Sequence, residues 1–166
     1  NFTFDDHGVY ESTDTKAAST IAGILREKRF VKNSDGAVSE VPGRFKNCKA
    51  IGWFVLEYNC AQVSFNLTNF KITSVHHVYE ETKKLAAEMG ISVTGSEIIG
   101  LVPEEAILEA GEYYLSKENI NICLSKEVII DTAIHNLGLN DKALFEPEKK
   151  ILKSYYDLTS NSSGGY

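Results

Sequence analysis

The side chains that could do chemistry fall into four groups, and neutral hydrogen-bonding residues dominate. Along the run from Ala61 to Thr68, Gln62, Ser64, Asn66 and Thr68 alternate with Val63, Phe65 and Leu67. Successive strand residues point to opposite faces, so this pattern predicts one polar and one apolar face. Gln and Asn offer donors and acceptors together, which suits a heterocycle with amide-like edges. An ordinary solvent-facing sheet surface gives the same pattern. Gly95-Ser96-Glu97 interrupts a second extended run, where glycine permits close approach of a ligand or of another backbone, as in a bulge. Arg26 ends a predicted helix, and its guanidinium fork can grip a carboxylate through two hydrogen bonds, although helix-terminal arginines are also commonly just solvated.

The fourth group, His76-His77, invites a metal reading, but adjacent helical residues diverge by about 100°, so one buried or bridging histidine fits better than a shared ion. His7 and His135 have no evident partners, and no G-x-S-x-G, H-E-x-x-H or P-loop pattern occurs. No residue is therefore assigned to nucleophilic catalysis or to a metal.

These groups must be held by a scaffold of ordinary globular character. The 166 residues are 43% hydrophobic and 24% charged, enough for a packed core. Three cysteines, Cys48, Cys60 and Cys123, are widely spaced and form no C-x-x-C pair, which suits a reduced, cytoplasmic protein. The longest apolar run, Ile51 to Leu56, is broken by Gly52 and is far short of the roughly 20 residues of a membrane helix. A net charge of −6 disfavours broad nucleic-acid binding. Between Arg26 and Lys49, seven bases face three acids, a balance of +4 that leaves −10 elsewhere. Such a basic loop suits a small polycarboxylate, and equally a solvated surface.

Ser12, Thr13 and Asp14 are N-cap types ahead of Ala18, Ile21, Ala22 and Leu25, predicting a helix from about Asp14 to Arg29. Before it, Phe2, Phe4 and Val9 alternate weakly as an edge strand, with a turn at Asp5-Asp6-His7-Gly8. Residues 30 to 46 read as a long surface loop around Asn33-Ser34-Asp35-Gly36 and Pro42-Gly43. Ala50 to Tyr58 and Ala61 to Thr68 then form a hairpin. A second helix begins at Thr73 or Ser74 and ends at Gly90, with a stripe of Val75, Val78, Tyr79, Thr82, Leu85, Ala86 and Met89. Pro103 opens a third helix with a stripe of Ala106, Ile107, Ala110 and Tyr114, with Gly111 as a further candidate. Asn119 to Leu124 reads as a short strand, and Ser125 caps a fourth helix burying Val128, Ile129, Thr132, Ala133 and Leu137. Interleaved strands and helices around an antiparallel hairpin predict an α+β fold, one mixed sheet with helices packed on it. The domain is expected over 1–156, with a disordered tail over 157–166.

From Pro42 the sequence PGRFKNCKAIGWFVLEYNCAQVSFNLTNFKIT, then HHVYEET, then VTGSEIIGLVPEEAILEAGEYYL, resembles formiminotransferase domains in the family's order. Weaker agreement extends over Ala17 to Arg29 and HNLGLNDKALFEPEKKIL. The family comprises glutamate formimidoyltransferases, free or fused to a cyclodeaminase. Its transferase domain is two α/β halves of ferredoxin-like topology whose sheets face across a folate groove, and this chain resembles the second half. The resemblance implies tetrahydrofolate as co-substrate, N-formimidoylglutamate as donor, an amino-terminal half as partner, a role in histidine degradation, and no metal. It also implies folate or substrate contacts at Leu25, Arg26, Gln62, Ser64 and Asn66, with Ser96 and Glu97 as further groove residues. The family's catalytic histidine lies in the first half, and no residue here matches its motif. Asp5-Asp6-His7-Gly8 stands where the family has an apolar strand. A non-catalytic half-domain, serving as a folate-binding module or a structural subunit, is the rival expectation, and a homo-oligomer stays open.

Overall fold

The computed structural model describes residues 2–5, 11–57, 59–120 and 123–153, with side chains from residue 15 onward. The chain forms two compact units, Asn1–Ser96 and Glu97–Tyr166. In the first, β1 (Phe2–Asp5), α1 (Glu11–Leu25), β2 (Lys28–Lys32), β3 (Val38–Pro42), β4 (Cys48–Val55), β5 (Cys60–Leu67), α2 (Val75–Glu88) and β6 (Ser92–Ser96) follow in order. Four strands form one sheet in the order β4-β5-β1-β6, α+β in character. Every neighbouring pair in it is antiparallel, which corrects the expected mixed sheet. Helix α1 carries the chain from β1 to β4, and α2 carries it from β5 to β6. Each crossover lands one strand beyond its neighbour, so the parallel-running strands are separated by an antiparallel one.

Strand β1 is also not the expected edge. It lies between β5 and β6, with Phe2 opposite both Val63 and Ser96 and Thr3 opposite both Gln62 and Gly95. The pairing then slips: Phe4 faces Val93, making Thr94 the extra residue of a bulge. The turn expected over Asp5 to Gly8 falls largely outside the described residues, as does Val9.

Helix α1 stops at Leu25, four residues earlier than expected, because a second segment takes over its last carbonyls. Arg44 N–H donates to Ile24 O (3.0 Å), Phe45 N–H to Leu25 O (3.1 Å) and Gly43 N–H to Glu27 O (2.8 Å). This strap closes the orphan acceptors that any helix C-terminus leaves. A Cβ at position 43 would overlap the Arg26 carbonyl oxygen, so the strap requires glycine. The expected long loop is in fact the β2–β3 hairpin, paired from Lys28↔Pro42 to Lys32↔Val38. Its turn is the anticipated one: Asn33 N–H donates to Ala37 O (2.8 Å), and Gly36 has φ +87°. Both hairpin faces are largely solvent-exposed, so its strands lack the half-buried alternation that signals a strand in sequence.

Both helices pack on one face of the sheet. Ala18, Ile21, Ala22 and Leu25 of α1 meet Ala61 and Val63 of β5 and Leu85 and Ala86 of α2, with Ala50, Phe54, Phe65 and Val93 around them. A Cβ on Gly52 would overlap the backbone of Ala18 and Ser19, so β4 touches α1 where its side chain is absent. In α2 the buried stripe is His76, Val78, Tyr79, Thr82, Leu85 and Ala86, whereas Met89 lies exposed beyond the helix.

The second unit contains β7 (Val102–Pro103), α3 (Glu104–Lys117), α4 (Lys126–Asn136), α5 (Pro147–Lys150) and β8 (Ile151–Leu152), with β7 parallel to β8. Helix α3 buries Ala106, Ile107, Ala110, Gly111 and Tyr114 as the spacing predicts. A Cβ on Gly111 would overlap the Ile129 carbonyl oxygen, which locates the α3–α4 contact. Ile129, Ala133 and Leu137 continue that line at intervals of four. Val128 falls off the line and is exposed, correcting its place in the expected stripe. The strand expected over 119–124 is not formed in its described part. Asn119 instead closes α3, its N–H donating to Ser116 O (3.0 Å) at φ +60°, while residues 121–122 and the tail 157–166 lie outside the described residues.

Candidate functional site

The four-stranded sheet has a second face, turned away from the helices. Strand β4 directs Cys48, Ala50, Gly52 and Phe54 inward, so Lys49, Ile51, Trp53 and Val55 occupy the opposite face. The ladder sets them across from β5 as Lys49↔Asn66, Ile51↔Ser64 and Trp53↔Gln62. Gln62, Ser64 and Asn66 therefore do share one face, as their alternation predicts. They are not equally available: Asn66 is exposed, Ser64 half-buried and Gln62 only 1% exposed. The surface a ligand could touch is thus shifted toward β4, where Ile51 is 64% and Trp53 47% exposed and Lys49 also faces solvent. Sequence reasoning overlooked these β4 residues. Their signal was the exact pairing of a hairpin whose outer strand alternates small or apolar residues with Lys49, Ile51 and Trp53.

The remaining expected contacts are scattered. Leu25 is fully buried among the α1 core residues, so its side chain cannot meet a ligand, and its carbonyl is occupied by Phe45. Ser96, 2% exposed, pairs through Phe2 with Val63, which sets it on the helix side of the sheet rather than beside Gln62. Glu97 belongs to the second unit. Arg26 is half-buried just past α1, its guanidinium 5.9 Å from the Phe30 ring centroid. Its Nε is buried without a hydrogen-bond partner among the described residues. Of the basic segment, Lys28 pairs with Glu40 at 2.9 Å and Arg44 with Glu81. Glu40 is already among the three acids counted, so it is the Arg44–Glu81 pair that offsets part of the +4 balance.

At the start of α2, Ser74 Oγ lies 3.2 Å from His76 Nε2 and 2.9 Å from His77 Nδ1. One histidine is buried and the next exposed, as the divergence of adjacent helical residues requires. Burial, reinforced by repulsion from His77 and opposed by Glu80, lowers the His76 pKa to about 4. It is a neutral imidazole near pH 7, unsuited to carrying a proton in either direction there. The Cys48 thiol is pushed up to about 11, by burial first and Glu27 second, and so is a poor nucleophile. Among the described residues no three His, Cys, Asp or Glu side chains converge as a metal site. No helix of the described residues is long and apolar enough to cross a membrane. The arrangement offers surfaces for binding and orientation.

Comparison with known proteins bears on the family. Residues 8–157 match the family model for the formiminotransferase domain. Formimidoyltransferase-cyclodeaminase of Dictyostelium discoideum is 52% identical over 111 residues, covering 67% of this chain and 20% of the relative. The Rattus norvegicus protein of the same name is 41% identical over 136 residues, covering 82% of this chain and 24% of its own length. Glutamate formimidoyltransferase of Streptococcus pyogenes is 42% identical over 79 residues, 48% of this chain and 26% of that enzyme. The chain thus spans about a quarter or less of these relatives. With nearly its whole length matched, it belongs to the formiminotransferase domain family.

Proposed function

We propose that this chain is the carboxy-terminal half of a glutamate formimidoyltransferase, one wall of a groove in which a formimidoyl group passes from N-formimidoylglutamate to tetrahydrofolate. The observation that carries this reading is the open sheet face, where Asn66 and Ser64 stand across from exposed β4 residues while both helices occupy the other side. A β-α-β-β-α-β order with sheet order β4-β5-β1-β6, leaving aside the β2–β3 insertion, supports a ferredoxin-like reading of the first unit, to which the proposed subdomain over 1–156 adds the second. The relatives' names support formimidoyl transfer; tetrahydrofolate as acceptor, and histidine degradation in the cytoplasm as the setting, are what the family resemblance implies.

The transfer requires the tetrahydrofolate amine to lose a proton and the departing glutamate nitrogen to gain one. His76, neutral and buried, is not placed to do this, so proton transfer falls to the amino-terminal half. This chain contributes orientation: Asn66 and Ser64 hydrogen-bond the pterin or its linker, Gln62 supports them from beneath the surface, and Arg26 takes a carboxylate. Ser96, buried on the helix side of the sheet, and Glu97, in the second unit, are left out of this role. Holding two substrates in reacting geometry can supply on the order of 7–11 kcal/mol toward the barrier.

Two measurements test the proposal. Calorimetric titration with tetrahydrofolate should show binding that Asn66→Ala weakens several-fold; parent and variant binding alike would remove the face from the site. Turnover should be absent from the chain alone and appear on mixing with a separately expressed amino-terminal half, since a missing positioned acid/base costs about 10²–10⁴ in rate. Turnover by the chain alone would overturn the division of labour. A mixture that associates, binds folate and stays inactive would favour a non-catalytic half-domain.

A further inference from the structure

Trp53 is the single tryptophan of the chain and stands nearly half exposed on the open face of β4, directly across from Gln62. Its indole has no hydrogen bond or ring contact among the described residues. A buried tryptophan contributes its large apolar area to a core and finds a partner for its indole N–H; this one leaves nearly half its surface open and its N–H without a partner among the described residues. Ile51 beside it is still more exposed. Two residues further along the same face, Lys49 is exposed, faces Asn66, and forms no ion pair among the described residues. Four residues of strand put Trp53 and Lys49 about 13 Å apart.

We infer that Trp53 is the stacking platform for the pyrimidinone ring of the reduced folate, and that Lys49 receives the carboxylates of its glutamate tail. The inference rests on the folate-binding reading above and assigns that site's polarity. The chemistry fits in three respects. The aminopyrimidinone ring of the reduced pterin is planar and electron-rich, and stacks on an indole face without needing a directional partner. The amide of Asn66 and the hydroxyl of Ser64 flank the path between the two β4 anchors, where a linker with donor and acceptor groups would lie. The only cation of this face on β4 sits at the end away from the tryptophan, so an anionic tail has one favoured direction. An apolar protein surface from the partner half could also cover Trp53 and Ile51, but it would leave the unpaired Lys49 without a charge to meet.

The single tryptophan makes the test direct. Tetrahydrofolate is titrated into the full chain under anaerobic conditions, with binding followed by calorimetry and by Trp53 emission corrected against free tryptophan amide. Saturable quenching with the calorimetric midpoint is expected. Trp53→Ala should weaken binding about tenfold or more, while Trp53→Phe keeps most of it. Lys49→Gln should weaken tetrahydrofolate about threefold and leave tetrahydropteroate, which lacks the glutamate, unchanged. Calorimetric binding with no change in emission, or with Trp53→Ala equal to the parent, overturns the platform and leaves the folate reading standing. Equal loss of both ligands in Lys49→Gln overturns the tail assignment. No binding by the parent overturns the folate reading and this inference with it. Quenching by the amino-terminal half in the absence of folate, abolishing the folate response, assigns the face to the protein partner instead.

Discussion

Strand β4 presents two rows of side chains that differ in almost every physical respect. One row, Cys48, Ala50, Gly52 and Phe54, is small or apolar and meets α1 closely enough that Gly52 lacks room for a methyl group. The other, Lys49, Ile51, Trp53 and Val55, is larger and mostly open to solvent. The strand's period of two lets one eight-residue segment serve both tasks. Fold is specified on the row where volume is constrained, and recognition belongs on the row where bulk has been left unburied. A large side chain on the wrong row would damage the first task, and a small one would empty the second.

The strongest way to break this asymmetry is Gly52→Ala. The added Cβ would overlap Ala18 and Ser19 backbone atoms, which cannot rotate away as a side chain could. Overpacking of a core typically costs about 1–3 kcal/mol and occasionally more, and contact with helix backbone belongs at the upper end. A loss of about 3 kcal/mol in urea unfolding is expected. A loss below about 0.5 kcal/mol would show that α1 shifts freely over β4.

A second test concerns a polar group on the packed side. His76 lies on the buried stripe of α2, close to Ser74, with His77 and Glu80 the charged neighbours that act on it. Its pKa falls from 6.5 in the unfolded chain to about 4 in the folded one. The unfolded chain thus binds a proton that the folded chain refuses between those values. The His76 contribution to stability should be full above about pH 6.5, decline as pH falls through the window, and level off below about pH 4. The full difference is about 3 kcal/mol at 1.36 kcal/mol per pKa unit. Urea midpoints at pH 7, 5.5 and 4.5 measure it, and His76→Gln should flatten the slope in that range. An unchanged slope in the variant would assign the effect to other groups.

The packed row was the legible part of this protein. Helix α2, the opening of α3 at Pro103 and the β4–β5 hairpin all follow from periodicity and turn residues, because their patterns are set by local burial. What stayed hidden depends on pairing between distant segments. The inner position of β1 rests on contacts with residues some 60 and 90 positions away, which four residues beside a string of turn formers do not announce. The bulge at Thr94 sends Ser96 to the helix side, since a slip of one residue exchanges the faces. Gln62 obeyed its alternation yet ended buried, because alternation reports the direction of a side chain and says nothing of what lies over it. The β2–β3 hairpin escaped for the opposite reason: with both faces wet, its strands had no burial to record.

The smallest expected effect is also the sharpest test of the open row. Ile51→Thr keeps a β-branched side chain, so the strand's conformational preference is largely preserved. What changes is the apolar area presented to solvent. Ile51 is 64% exposed and paired across the sheet with Ser64, so the substitution removes little buried surface. Exposed substitutions of this kind stay within about 0.5 kcal/mol, and the urea midpoint of the variant should match that of the parent. A loss above about 1 kcal/mol would mean that the row is covered in solution by another copy or by the chain itself. The distinction is then made by repeating the measurement over a hundredfold range of protein concentration. A midpoint that rises with concentration identifies association across this face, because binding to the folded state alone stabilises by mass action. A midpoint that stays constant identifies cover from within the chain. Either result would move the face from recognition to structure, whereas an unchanged midpoint keeps the two rows of β4 in the separate roles their burial assigns.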